Sequence, residues 1–532
     1  MSKQHRDMIL LFAVSLIVRL LLIIPIQAPG YMDAAYSYDI ALNLVRGQGF
    51  VEPFLWNYLD DPAGLPHPSH IYWMPLPTVL AWVGLTMLGE SYRSAQIPFA
   101  VIAALLPVVG YWVGLQITGR RRHGWLAGLL TLFSGFYVPF WGHTDNFAPF
   151  ALAGSLCLIA AWQAGRAREV GSRAVGWALV AGALVGLAHL SRADGLLLLV
   201  AIGLAWGGTL ISILRSPEGA RDWRLGITHI LSIVLGYILV MLPWFVRNWT
   251  VSGALLPTAG TQTIWLTTYD DLFSYGRELS PRAYLAWGWS NILRSKLDAL
   301  WLNLQTVLAV LCMIFLVPLV PIGWWRTRRH PLIQLATWYA LLLFLVMTFV
   351  FTFPGPRGGL FHSGGALLPF IFAAASVGLG IVIEWVAARR QGWDVGLAKQ
   401  VFGIGVVGLA LLVSGFLYYQ KVVVEPSARE GGARYSDLVD WLAAEDQGDA
   451  VVMVGDPPSY WYHGGGPSIM VPNEPVETVL TVADRYGARY LVLDHNRPGP
   501  LALLHEGAES HPRLILAVSL SGDTRIYQIA LP

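Results

Sequence analysis

The sequence predicts a polytopic α-helical membrane protein that ends in a small α/β domain. Of its 532 residues, 55% are hydrophobic and 13% charged, about half of the roughly 25% charged residues usual in a soluble domain. Mean hydropathy is +0.54, and most of the long apolar runs reach the ~17–25 residues that a spanning helix needs. Between the runs lie arginine clusters at nearly regular intervals: Arg120-Arg121-Arg122, Arg166/Arg168/Arg173, Arg215/Arg221/Arg224, Arg326/Arg328/Arg329 and Arg389/Arg390. Alternation of this kind sorts a chain into two sides of a membrane.

The runs are Met8–Ile26, Ala95–Leu115, Trp125–Trp141, Phe147–Gln163, Val175–Leu190, Leu196–Leu214, Ile227–Trp244, Trp301–Trp324, Leu332–Phe351, Gly364–Val386 and Val401–Tyr419. The first has a basic flank and no small-residue cleavage site after it, so it reads as a retained anchor. Pro75–Leu88 is also apolar, but runs of roughly 10–14 residues are more often interfacial than spanning. The positive-inside rule decides its fate. If this segment stays on one side, every arginine cluster shares the side of Lys3 and Arg6. The expectation is therefore about eleven spans in a cell membrane, with the N-terminus cytoplasmic and the C-terminus outside.

Four loops then face outward: Gln27–Ser94, His143–Asp145, Arg247–Leu300 and Pro354–Ser363, joined by the Ser191–Asp194 hairpin. The division expected is a membrane domain over 1–420 and an extracytoplasmic α/β domain over 421–532. In the latter, Val451–Val454 and Tyr490–Leu493 read as buried strands and Val476–Tyr486 as a helix. Leu514–Leu520 and Thr524–Ile529 read as a hairpin around Ser521-Gly522-Asp523. The net charge of +2 sits in short loop clusters, which gives no sign of a nucleic-acid partner. Cys157 and Cys312 both lie inside apolar runs and imply no disulfide framework.

The polar residues on the outward side are the candidates for chemistry. Asp33 lies just past the first span, ahead of Ala41–Phe50, which reads as a short helix ended by glycine. A carboxylate at the membrane surface, beside apolar walls, can have a raised pKa and act as a general base; a loop aspartate in this position is also a common helix cap. Arg247 directly follows a span at headgroup depth, against the inward bias of the other arginines, and Arg192 sits in the Ser191–Asp194 hairpin. His67, His70, His143 and Asp145 have side chains that can ligate a metal. Asp39, Asp60 and Asp61 are secondary acids. Trp56, Tyr58, Tyr72, Trp73, Trp265 and Tyr269 can stack on sugars or belong to an interfacial aromatic belt.

Several of these segments resemble the glycosyltransferase C superfamily, above all bacterial proteins of the dolichyl-phosphate-mannose protein mannosyltransferase group and the aminoarabinose transferases. Asp33, Tyr36 and Gly47-Gln48-Gly49-Phe50 match the first external loop of that family, which carries an Asp-Glu pair; here the second acid is replaced by Ala34. Tyr72-Trp73-Met74-Pro75 resembles the start of the family's juxtamembrane helix. Gly142-His143-Thr144-Asp145-Asn146, Leu190-Ser191-Arg192-Ala193-Asp194-Gly195, Leu242-Pro243-Trp244-Phe245-Val246-Arg247-Asn248 and Phe361-His362-Ser363 resemble its further elements in order.

The resemblance implies inverting transfer of a hexosyl or pentosyl residue from a polyprenyl-phosphate donor to an extracytoplasmic glycan, lipid or protein hydroxyl. Asp33, alone or with Asp145, would be the catalytic acid–base group. Arg247, Arg192 and His362 would receive the departing phosphate, and Tyr36, Tyr72 and His143 would touch acceptor or sugar. No cofactor is certain; a divalent metal, if used, would take Asp33, His143 and Asp145. A transporter of lipid-linked sugars is the competing class, as is a family member that binds such a lipid without catalysis. Transporters carry ionisable residues at mid-membrane, whereas here they gather near the ends of the runs.

Overall fold

The first helix, Lys3–Leu22, begins where the Ser2 side chain accepts the His5 backbone N–H. The chain then leaves the bundle for a long first loop. In this computed structural model residues 2–166, 172–214, 223–351, 355–425, 434–520 and 523–530 are described. Arg168, Arg215, Arg221, Pro354, Ser521 and Gly522 lie outside them.

Seven helices among the described residues are long and apolar enough to cross a membrane: Tyr92–Thr118, Phe147–Gly165, Ser172–Ser191, Gly226–Ser252, Pro331–Phe349, Gly359–Ala387 and Val395–Val424. The apolar run at Leu196–Leu214 is also helical. Close contact inside the bundle depends on missing side chains. A Cβ on Gly182 would meet the Ile233 carbonyl oxygen at 1.9 Å, and one on Gly236 would meet that of Leu179 at 2.1 Å. Small residues at such crossings let helix backbones approach, which is the main source of packing energy where lipid replaces water.

Two expected spans are interrupted. The Trp125–Trp141 run is helical only within Arg121–Leu132. Gly135 then takes a left-handed φ of 60°, its N–H bonds Ser414 Oγ at 2.9 Å, and Ser134 Oγ accepts the Trp141 indole at 2.9 Å. The Trp301–Trp324 run breaks after a π-turn at Thr306–Leu311. Met313 and Ile314 are left-handed, at φ 47° and 58°, and the helix restarts at Leu319 behind Pro318. Polar and proline punctuation inside apolar sequence is invisible to a hydropathy reading. The first helix also holds charge: Arg19 is buried and donates to the Leu132 carbonyl at 2.9 Å.

Leu76–Leu88 is an apolar helix of 13 residues, shorter than the ~17–25 residues of a spanning helix. The helix expected at Ala41–Phe50 begins much earlier, at Met32, and ends at Val45 before the left-handed Gly47 and Gly49. Asp33 therefore lies inside the first turn rather than capping it.

Above the bundle lies a six-stranded sheet ordered β2-β5-β4-β6-β8-β7. Strand β1 (Val51–Glu52) instead pairs with β3 (His67–Pro68). In the sheet, β4 (Val451–Val454), β6 (Ala488–Leu493), the helix Val476–Tyr486, β7 (Leu514–Leu520) and β8 (Thr524–Ile529) stand where the sequence puts them. Strand β5 (Ser468–Met470) was not foreseen, and neither was β2 (Phe54–Leu55), which comes from the first loop and pairs parallel to β5 through Phe54↔Ser468 and Leu55↔Ile469. The first loop and the tail thus share one sheet and one buried core. The helix Pro457–Tyr462 of the tail packs on the Asp33 helix, with Tyr38 and Tyr462 rings 5.5 Å apart.

Candidate active site

Asp33 and Asp145 come together where the Met32–Val45 helix meets the His143–Asn146 turn. Asp145 is buried and held on both oxygens. Oδ1 accepts the Asn146 backbone and side-chain N–H groups at 2.5 and 2.6 Å, and Oδ2 accepts the Tyr31 hydroxyl at 2.9 Å. Asp33 is partly open to solvent and its main influences are burial, the charge of Asp145 and that of Asp456 from the tail. These push its pKa well above the ordinary carboxylate range, with Arg192 opposing. Burial also raises Asp145, but its hydrogen bonds and Arg192 offset part of that. Two acids so placed do not both ionise freely. The better-bonded Asp145 favours the charge, which leaves Asp33 the more basic group.

Arg192 is the cation that both acids feel. Its Nε donates to Asp194 Oδ1 at 3.1 Å and to Ser363 Oγ at 3.2 Å, and Ser363 Oγ in turn donates to Asp194 Oδ2 at 2.6 Å. Among the described residues, its two terminal amino groups have no protein partner, so an anchored fork is left open for an anion. A guanidinium fork matches the oxygens of a phosphate.

The remaining candidates divide into two groups. His362 stands with the acids: Nδ1 lies 3.1 Å from Asn146 Oδ1, and its ring stacks on Phe147 at 4.3 Å. His143 lies 5.2 Å from the Tyr31 ring, with Nδ1 3.1 Å from the Tyr92 hydroxyl. Tyr72 feels the charges of both Asp33 and Arg192. Arg247 and Tyr36 instead join a second cluster. Arg247 donates to the Ser69 carbonyl at 2.5 Å and to Asn248 Oδ1 at 3.2 Å, and covers the Trp244 ring at 4.8 Å. Tyr36 accepts the His70 N–H at 2.7 Å and is shielded by Trp73 at 4.5 Å.

Of the secondary acids, Asp60 and Asp61 have ion-pair partners, whereas the buried Asp39 Oδ2 has no hydrogen-bond partner among the described residues. His67 sits between Glu52, 3.2 Å from Nδ1, and Asp60, 2.9 Å from Nε2. Asp61 pairs with Arg485 at 2.6 Å. Asp39 is buried on the face turned to the tail, where burial and Asp456 raise its pKa. His70 is buried near Arg247, and burial drives its pKa down to about 3.

Asp33, His143 and Asp145 do not converge as three metal ligands; among the described residues no group of three or more His, Cys, Asp or Glu side chains does. The two acids meet, but the His143 Nδ1 is turned to Tyr92.

No family model and no curated protein matches the sequence. The likeness is in the fold. ArnT from Cupriavidus metallidurans in the apo state superposes with a TM-score of 0.59 at 14% identity, over 99% of this chain and 98% of that one. The same protein bound to undecaprenyl phosphate gives 0.57 at 14% identity, over 99% and 98%. The archaeal oligosaccharyltransferase AglB from Archaeoglobus fulgidus, in complex with an inhibitory peptide and a dolichol-phosphate, gives 0.58 at 14% identity, over 91% and 69%. This chain has the glycosyltransferase C fold.

Position 34, next to Asp33, is closed to solvent. Ala34 is fully buried, and its carbonyl accepts the Thr144 hydroxyl at 2.7 Å. Asp145 follows directly on the Thr144 that makes this contact. Sequence reasoning missed Tyr31 and the Ser363–Asp194 support of Arg192. Tyr31 lies two residues before Asp33, but nothing local says that its hydroxyl faces a residue 114 positions away.

Proposed function

We propose that this protein is a membrane glycosyltransferase that moves a sugar from a polyprenyl phosphate to an acceptor hydroxyl. The observation that carries the reading is the Asp33–Asp145 pair beside the open fork of Arg192. Similarity of fold to proteins solved with dolichol-phosphate and with undecaprenyl phosphate supports the lipid donor. The site would face the extracytoplasmic side, with the arginine clusters in the cytoplasm, as the positive-inside rule requires. Residues 421–532 would form the extracytoplasmic domain above it, completed by the first-loop strand β2.

In this mechanism Asp33 takes the proton of the acceptor hydroxyl as that oxygen attacks the anomeric carbon. The bond from that carbon to the phosphate oxygen breaks, and its electron pair leaves with polyprenyl phosphate. A single displacement inverts the anomeric centre. Asp145 stays ionised and keeps Asp33 basic. Arg192, fixed by Asp194 and Ser363, meets the growing charge on the phosphate; a preorganised donor of this kind is often the largest catalytic contribution. His362 and Tyr72 border the same space. Arg247 is committed to Ser69 and Trp244, so its part is to pin the first loop, with any phosphate contact secondary.

The test is consumption of radiolabelled polyprenyl-phosphate sugars by purified protein in lipid, with wild type and Asp33→Asn side by side. Release of polyprenyl phosphate by wild type alone is the expected result. If the variant turns over donor at the wild-type rate, Asp33 is not the base. If wild type consumes none of a hexosyl and pentosyl donor panel, the transferase reading is lost.

A further inference from the structure

We propose that the cleft between the first loop and the 262–279 loop is a glycan-binding subsite, which holds the acceptor as a chain of neutral sugar residues beside the acid pair. The cleft has a volume of about 390 Å³, within the ~300–1,000 Å³ usual for small-molecule sites. Its walls combine the rings of Tyr58 and Tyr275 with Asp61, Gln262, Ser274 and Arg277. Aromatic faces and mixed donors and acceptors match the alternating C–H faces and hydroxyl rims of sugars.

The polar groups are available. Among the described residues the buried Ser274 hydroxyl has no hydrogen-bond partner, and the half-buried Gln262 amide lines the cleft beside it. The Tyr275 oxygen accepts from Arg485 at 2.7 Å, which leaves its own O–H to donate. Arg277 donates to Asp271 and, at 3.1 Å, to Thr267 Oγ1, and is otherwise open. Charge decides against an anion. Asp61 is matched by Arg485, and Asp271 by Arg277, so no spare cation awaits a phosphate. The walls are side chains rather than an open strand edge, the feature that would recruit a peptide by strand addition.

Position ties the cleft to the chemistry. The short helix Tyr269–Phe273 carries Asp271 on the cleft side, while Tyr269 lies within the field of Asp33. At ~2 Å rise per residue in a 3₁₀ helix, Ser274 and Tyr269 are about 10 Å apart along the chain. An acceptor reaching from one to the other is an extended glycan. The far wall is fixed to the tail by the Asn473 N–H on the Phe273 carbonyl at 3.0 Å and by Arg485 on Tyr275. This gives the tail a part in acceptor binding.

The identity of the occupant as acceptor rests on the transferase reading, whereas its saccharide chemistry rests on the lining alone. Saturation-transfer NMR on the full-length protein in detergent can therefore separate the two. The probes are short linear gluco-, manno- and arabino-oligosaccharides, with an uncharged peptide of similar length beside them. The expected result is saccharide binding that weakens about ten-fold in Gln262→Ala and in Tyr275→Phe, the second of which keeps the ring and the packing. No saccharide signal, an unchanged signal in both variants, or a signal from the peptide instead would overturn the subsite. Saccharide binding that the variants weaken, in a protein that consumes no polyprenyl-phosphate sugar, would keep the subsite and remove the transferase. Sugar transfer with an unchanged acceptor KM in both variants would do the reverse.

Discussion

Two clusters of paired acids meet at the first loop, and they are built in opposite ways. Glu52 and Asp60 are separated by His67, one ring nitrogen facing each. The two acids raise the His67 pKa to about 9 against the pull of burial, so at neutral pH a cation lies between them. Asp33 and Asp145 have no such cation bridging them; Arg192 acts on both but spends its Nε on Asp194 and Ser363. The first cluster neutralises itself and ties β1 to the loop around Asp60. The second stores unbalanced charge, as sites of proton transfer do. Paired acids alone do not mark a catalytic centre; what lies between them does.

Mutation breaks the comparison most sharply at Asp33. Asp33→Asn is expected to cut sugar transfer by ~10²–10⁴-fold, the usual share of a general base. It should also stabilise the fold by on the order of 1–3 kcal/mol. The sign follows from the raised pKa: the native state resists ionising Asp33, so wild type loses stability as pH rises from the unfolded carboxylate range toward the folded value. Asparagine has no such cost. A lower melting temperature at pH 7 would contradict this account.

Removal of the Arg192 fork comes next. Arg192→Ala should lower kcat by ~10²–10³-fold, and lysine should restore only part of it, because a point charge does not reproduce the fork. Full rescue by lysine would mean that charge alone matters there.

The Glu52 cluster should answer in the reverse sense. Glu52→Gln is expected to lower stability by ~3 kcal/mol, since it leaves a buried charge short of its partner, while kcat of the surviving protein stays within about two-fold. A loss of kcat with no loss of stability would move this cluster into the chemistry.

The two clusters also predict opposite responses to alkali. The stability that His67 contributes is complete below its unfolded value of about 6.5 and is lost as pH rises through about 9. Transfer activity, in contrast, should climb as pH rises above the ordinary carboxylate range, because Asp33 must lose its proton to act. A flat activity profile from pH 5 to 8 would contradict the raised pKa of Asp33. Arg247→Ala should have the smallest effect, a rise in donor KM of a few fold through a loosened first loop.

Much of the architecture was legible because it rests on local pattern. Apolar runs gave most of the long helices, the short run at Pro75–Leu88 gave a short one, and in the tail short apolar runs gave β4 and β6 while a hairpin pattern gave β7 and β8. The two broken runs were not legible, since Ser134–Gly135 and Met313–Ile314 lie in sequence that is apolar throughout. Strand β2 was hidden for another reason. Two residues, Phe54 and Leu55, carry no period, and only β5 from over 400 residues away makes them a strand.

For the site, the sequence by itself determined which residues stand near the heads of the helices, because ionisable groups are costly in the bilayer interior. It thereby placed Asp33, Asp145, Arg192 and His362 on one face. Only the tertiary structure decided which of them face each other. Side-chain pairing across more than 100 residues depends on how helices cross, and that is set by packing contacts no single segment contains. It brought Asp145 into the field of Asp33, turned Arg247 toward Ser69, and left the fork of Arg192 open.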